Sequence, residues 1–239
     1  MIDLAIPVSA KRWALAFGLG VLVLVAASIG ASFVAFVPLD DPFLTDVRDS
    51  VVRLAWFDGE GNIPAWYSAS LLLLCALLLA AIAAAHRQQR TGPVVRWLIL
   101  SSIFVFLSLD EIAQLHELSI RPLRDTFHIT GFFYYGWIIP AGVCVALFTL
   151  AYLPLLRRLP SRTRWLFLLA GSLYVGGALG VEAVSGRHAS LHGEHNLIYH
   201  LIITVEELLE MAGLVVFIYA LLDYIGRRFP RLAFNVAGR

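Results

Sequence analysis

The residues able to do chemistry are concentrated in two short stretches of this 239-residue chain. Residues 108–117, SLDEIAQLHE, carry Asp110, Glu111, His116 and Glu117; residues 206–213, EELLEMAG, carry Glu206, Glu207 and Glu210. His200 precedes the second stretch, and Glu182 lies between the two. On a helix, Asp110, Gln114 and Glu117 share one stripe at i, i+4 and i+7, with Glu111 turned about 100° to its flank. His200, Thr204, Glu207 and Met211 share another stripe, with Glu206 and Glu210 beside it. Carboxylates with one or two imidazoles are the ligand types of iron, manganese and zinc. The same groups hold and pass protons.

The elements that must position them are membrane helices. Hydrophobic residues make up 59% of the chain and charged residues 15%, against about 25% charged in an ordinary soluble domain; mean hydropathy is +0.79. Six apolar runs reach the roughly 20 residues that cross a bilayer: residues 13–37, 65–85, 94–116, 132–156, 164–184 and 197–225. They leave no room for a soluble domain, so residues 1–239 read as one all-α domain, a polytopic membrane helix bundle with six transmembrane helices. The first run follows Lys11 and Arg12 as a signal peptide would. It is longer than the roughly 7–15 apolar residues of a signal, and reads as a retained helix.

Thirteen of the eighteen lysines and arginines lie before the first run, between the second and third, between the fourth and fifth, or after the sixth. By the positive-inside rule those segments face the cytoplasm, which puts both termini inside. The acids do the reverse: fifteen of seventeen, with six of the seven histidines, fall in outer loops or outer helix halves. The rule does not require acids to segregate, so the skew points to chemistry at the outer face. The net charge of +1 gives no case for nucleic acid. Cys75 and Cys144 sit inside apolar runs, so neither a disulfide nor a CxxC metal site is suggested.

In the first outer loop, residues 38–64, Leu44, Val47, Val51 and Leu54 share a helical face opposite Asp46, Asp49 and Arg53. That pattern fits a helix lying in the interface or a lid packed on the helix ends, and the pattern leaves both open. Asp58, Glu60 and Asn62 follow in a tight turn that could cap the site; a calcium loop would need its closing Glu where Ala69 stands. Phe132, Phe133, Tyr134, Tyr135 and Trp137 read as an aromatic anchor at the outer interface. Pro140 reads as a kink. Ser172, Gly176 and Gly180, four apart, predict a flat face that admits a close neighbour.

Each charge at the centre of a spanning helix costs about 2.5–3.5 kcal/mol. Asp110, Glu111, Glu182, Glu206, Glu207 and Glu210 together come to the order of 10 kcal/mol, as large as a typical folding stability. No Lys or Arg stands at matching depth. Like charges this close cannot all stay ionised unpaired, so some hold protons or a cation binds. Three readings follow. A divalent transition metal (iron, manganese or zinc) is held by the carboxylates, His116 and His200. Alternatively the layer is a proton or cation path, or it is interhelical hydrogen bonding. A ferritin-like site needs Glu-x-x-His twice, and neither stretch has it. His188, His192 and His195 follow the fifth run; HxxxH on a helix can hold zinc, but here the run places it in a loop.

Three stretches together, residues 60–68 (EGNIPAWYS), 108–117 and 206–213, resemble a group of uncharacterised bacterial multipass membrane proteins. The resemblance implies a bacterial inner membrane and one shared site, and it implies no activity. The expectation is therefore a periplasm-facing carboxylate–histidine site that binds metal and, as an enzyme, hydrolyses or oxidises a lipid-like substrate. An ion-coupled transporter, and a non-catalytic subunit in a homo-oligomer or larger membrane complex, stand as alternatives.

Overall fold

A computed structural model describes residues 9–59 and 61–229. Glu60, named above for the site, lies outside them, as do Arg231 and Arg239 of the C-terminal basic segment. Among the described residues every regular element is helical. The α-helices are α1 (Ala10–Ala35), α2 (Pro42–Ala55), α3 (Ile63–Gln88), α4 (Val94–Ala113), α5 (Ile120–Phe127), α6 (Ile138–Arg158), α7 (Ser161–Val175), α8 (Glu182–His192) and α9 (Leu197–Arg228). Four stretches are long and apolar enough to cross a membrane: α1, α3, α6 and residues 161–192. The pair Val94–Ala113 and Glu117–Phe127, bent by 66°, adds a fifth if it forms one span. The last expected span is α9, 32 residues long, which stands outside that count.

α9 is the axis of the bundle: α1, α3 and α7 pack around it, and α4 packs on α3. Leu72, Leu79, Ile82, Trp97, Ile218 and Leu221 are fully buried where these helices meet. Asn62 starts α3 by accepting the Ala65 N–H at 2.9 Å, and Asn196 starts α9 by accepting the Tyr199 N–H at 3.0 Å. Each thereby satisfies one of the donors that a helix start leaves unpaired.

α2 begins at Pro42 with Asp41 accepting the Leu44 N–H at 3.1 Å. None of its residues is buried, and Phe43, Leu44, Val47, Val51 and Leu54 are exposed. α2 packs on α1 and on the start of the next helix, but its apolar face stays exposed.

Three boundaries differ from expectation for identifiable reasons. The third run leaves the helix after Ala113, not at His116. The fourth starts at Ile138, not Phe132; Pro140 then falls in its first turn, where a missing N–H costs nothing and no kink results. The fifth runs on to His192 through a π turn, Gly176–Val181. A π turn holds an extra residue and rotates the face that meets a neighbour. Gly177 thus becomes the close contact, where a Cβ would lie 2.7 Å from the Glu206 carbonyl oxygen. Gly176 and Gly180 face open space and Ser172 is exposed, so the expected flat stripe is not the packing face.

Candidate functional site

The end of α4 builds the first part of the site. Gln114 takes a left-handed backbone, φ 47°, which costs a non-glycine residue about 1–2 kcal/mol. Asp110 offsets this by accepting the His116 N–H on Oδ1 at 3.0 Å. Its Oδ2 lies 2.9 Å from His116 Nδ1. The turn folds the imidazole back onto its own helix and leaves Nε2 outside the pair. Glu117, exposed, opens the next turn beyond the break. The expected stripe of Asp110, Gln114 and Glu117 does not form, because the helix has ended.

The segment before α6 joins this pair to α8. The Trp137 ring lies 4.7 Å from that of His116, and its indole N–H donates to Glu182 Oε1 at 2.6 Å. Glu182 is placed by the π turn that ends just before it; such turns recur at functional sites. One turn on, the Ser185 hydroxyl donates to Glu206 Oε2 at 3.2 Å. Glu111 lies in hydrogen-bond contact with Ser68 of α3. Glu206 and Glu210 are buried, 8% and 9% exposed; Asp110, Glu111, His116, Glu182 and Glu207 are half-buried.

These groups act on one another through space. Glu182 is within electrostatic reach of Glu206, Asp58 and Glu117. Glu207 is within electrostatic reach of Glu111, Glu206, Asp58 and Glu182, and Glu210 of Glu207, Glu111, Glu206 and Glu182. Tyr174 is within electrostatic reach of Glu210, Glu111, Glu207 and Asp110. Toward the arginine-rich end the gap between α4, α7 and α9 is filled by rings. Phe104 stacks on Phe217 at 5.0 Å, Phe167 meets Phe217 at 4.8 Å, and Trp97 meets Tyr224 at 5.6 Å. Glu210 and Phe217 are seven residues apart, about 10 Å along α9. An apolar groove of about 390 Å³ on α4, lined by Val95, Leu98, Ile99, Ser102, Ile103 and Phe106, holds none of the acids.

Several expected members stand elsewhere. His200 is 5% exposed but stacks on Trp56 at 4.3 Å and lies 5.2 Å from the Phe36 ring. It belongs to an aromatic slot between the ends of α1 and α2, not to the acids, because Trp56 covers it from the loop. His188 and His192 stack at 4.7 Å on α8, so HxxxH is helical rather than in a loop. His188 Nε2 meets Asn196 Oδ1 at 2.9 Å, tying it to the α9 cap. His192 and His195 are exposed. Asn62 is buried, and its amide caps α3 and donates to the Trp56 carbonyl at 2.5 Å, a structural role. Asp58 is exposed and within electrostatic reach of Glu182, Glu206 and Glu207.

Among the described residues, no three His, Cys, Asp or Glu side chains are grouped so as to hold a metal ion. The metal expectation therefore finds no preformed ligand set. His200, expected as a ligand, stands apart from the acids, against Trp56 and Phe36.

Sequence reasoning missed Trp137, Tyr174, Ser68 and Ser185. Trp137 reads as a lipid anchor because only its partner across the fold distinguishes it from one. Tyr174 carried a signal: it sits three residues before Gly177 on an acid-bearing run.

No curated protein and no solved structure is similar to the chain. All three stretches that carried the bacterial resemblance lie within residues 14–225. Those residues match the family described as Domain of unknown function (DUF8692), and the chain belongs to that family.

Proposed function

We propose that the protein is a six-helix bacterial inner-membrane protein with both termini in the cytoplasm and α2 lying in the outer interface. Its periplasmic half holds an acid–base site acting on a lipid-like substrate. The observation that carries the reading is the Asp110–His116 pair at the α4 break. With Nδ1–H donating to the carboxylate, Nε2 keeps its lone pair and can take a proton from a substrate hydroxyl or a water. The Asp fixes the ring and stabilises the imidazolium, as in any His–carboxylate base. Glu182, Glu206, Glu207 and Glu210 act on one another through space with no Lys or Arg at matching depth, so some of them hold protons, which supplies the acid. Proton transfer of this kind serves hydrolysis or group transfer. The apolar helices that surround the site support a lipid-like substrate.

The aromatic filling beneath the acids counts against a transporter, since an ion would need a polar path through it. A subunit role in a homo-oligomer or larger complex is favoured by α6. Val143, Leu147 and Leu150 are exposed, and α6 is tied down chiefly near its ends, by Ile138 and by the Tyr152 hydroxyl donating to the Arg96 carbonyl.

The test is conversion of a bacterial lipid extract by the purified protein in proteoliposomes, read by untargeted mass spectrometry. Wild-type protein is expected to consume at least one lipid species and His116→Gln to leave it intact. Identical lipid profiles for the two would refute the acid–base reading. A second measurement separates it from a metal centre. Elemental analysis of protein purified gently and without chelator is expected to give well under one equivalent of iron, manganese or zinc. A full equivalent that disappears in Glu207→Gln would restore the metal site.

A further inference from the structure

A line of hydroxyls lies at the outer edge of the acid cluster, outside the machinery above. Glu194, exposed on the turn between α8 and α9, lies 3.3 Å from the Tyr135 hydroxyl. Tyr135 and Tyr199 meet hydroxyl to hydroxyl at 2.7 Å. Tyr199 lies 3.4 Å from Asp58 Oδ2, and the Asp58 charge is within electrostatic reach of Glu182, Glu206 and Glu207. From the reading of that cluster as a proton-holding site, on which this rests, we propose that Tyr135 and Tyr199 relay protons between Glu194 and Asp58.

Four oxygens in line make three links, and the two phenols supply two hydrogens. With both carboxylates ionised one link has no hydrogen, and the two outer links are long for O–H···O bonds. One further proton, on either carboxyl, fills all three. With it on Glu194, each hydroxyl donates toward Asp58; with it on Asp58, each donates back. The change between these states breaks three O–H bonds and forms three. It moves one proton from end to end and needs no co-reactant.

The scaffold is built for this contact. Tyr199 is 2% exposed and follows the Asn196 cap of α9. Phe57, next to Asp58, is buried in the same apolar cluster as Tyr199. Gly186 lets the Tyr135 ring lie against α8, where a Cβ would come within 3.1 Å of Cδ2. A tyrosine that served as a lipid anchor would turn its ring to lipid instead.

The test is infrared detection of carboxyl-proton exchange into heavy water, on the full chain in bilayers, using the band that Glu206→Gln removes. Tyr135→Phe and Tyr199→Phe keep both rings and lose only the hydroxyls. Each is expected to slow exchange by on the order of tenfold, and the double variant no more than the slower single, since the links act in series. Gly186→Ala, which displaces the Tyr135 ring without removing its hydroxyl, is expected to slow exchange as well. Unchanged rates in both Phe variants would overturn the relay and mean that water reaches exposed Asp58 directly. Failure of the acid–base reading shows in the lipid profile, and failure of the relay shows here.

Discussion

Gly213→Ala is expected to destabilise the protein by about 1–3 kcal/mol, while Gly171→Ala on the facing helix is neutral or stabilising by up to about 1 kcal/mol. The two substitutions add the same methyl group to a helix, and the difference is what that methyl meets. At Gly213 of α9, a Cβ would stand 2.8 Å from both the Ala170 carbonyl oxygen and the Tyr174 nitrogen, and 3.1 Å from Tyr174 Cβ. Those backbone atoms are one turn of α7, so neither can retreat without pulling the turn apart. At Gly171 nothing lies within 4 Å, and only the helix-propensity gain remains. Gly177 repeats the contact from the other side, against the Glu206 carbonyl oxygen and Glu210 Cγ. The two glycines form a seam that holds the acids of α9 against the π turn, so Gly213→Ala should also disturb the site. Thermal unfolding in mild detergent checks this. Equal shifts for Gly213→Ala and Gly171→Ala would show that the seam is looser than these distances.

Gly213 also marks how far the sequence could be read. It stood out as the end of the EELLEMAG stretch, but its reason, the close passage of α7, appears only when two helices are set side by side. The all-helical chain and its long apolar helices were legible from hydropathy, which depends on composition alone. Depth along each helix, at a fixed rise per residue, sets Glu111, Glu182, Glu206, Glu207 and Glu210 at overlapping levels, but among the described residues no three of them are grouped to hold a metal ion. What failed were arguments from helical stripes that assumed an unbroken helix. Asp110 ends α4 by bonding to His116, and the π turn at Gly176–Val181 rotates α8 relative to α7. Each shifts every later residue to a new face. His200 failed differently: its neighbours Phe36 and Trp56 come from distant parts of the chain, and nothing in its own helix announces them. Trp137 shows the opposite error, an anchor by type that the fold turns inward to Glu182.

Asp110→Asn is expected to leave the fold in place and to cost about 10²–10⁴-fold in turnover of whatever lipid the wild-type protein consumes. The two roles of Asp110 separate in this variant. An amide oxygen still accepts the His116 N–H, so the break at Gln114 survives and stability should change by no more than about 1 kcal/mol. The amide nitrogen then faces Nδ1 and donates to it. That forces the ring proton onto Nε2 and removes the lone pair a base needs. Binding does not depend on this tautomer, so the loss should fall on kcat and leave KM nearly unchanged. Asp110→Ala is the contrasting case. It removes the acceptor that offsets the left-handed Gln114, and should lower the melting temperature as well as the turnover. A loss in Asp110→Asn carried by KM, or a melting point as low as that of Asp110→Ala, would mean that Asp110 is a helix cap and His116 is not its base.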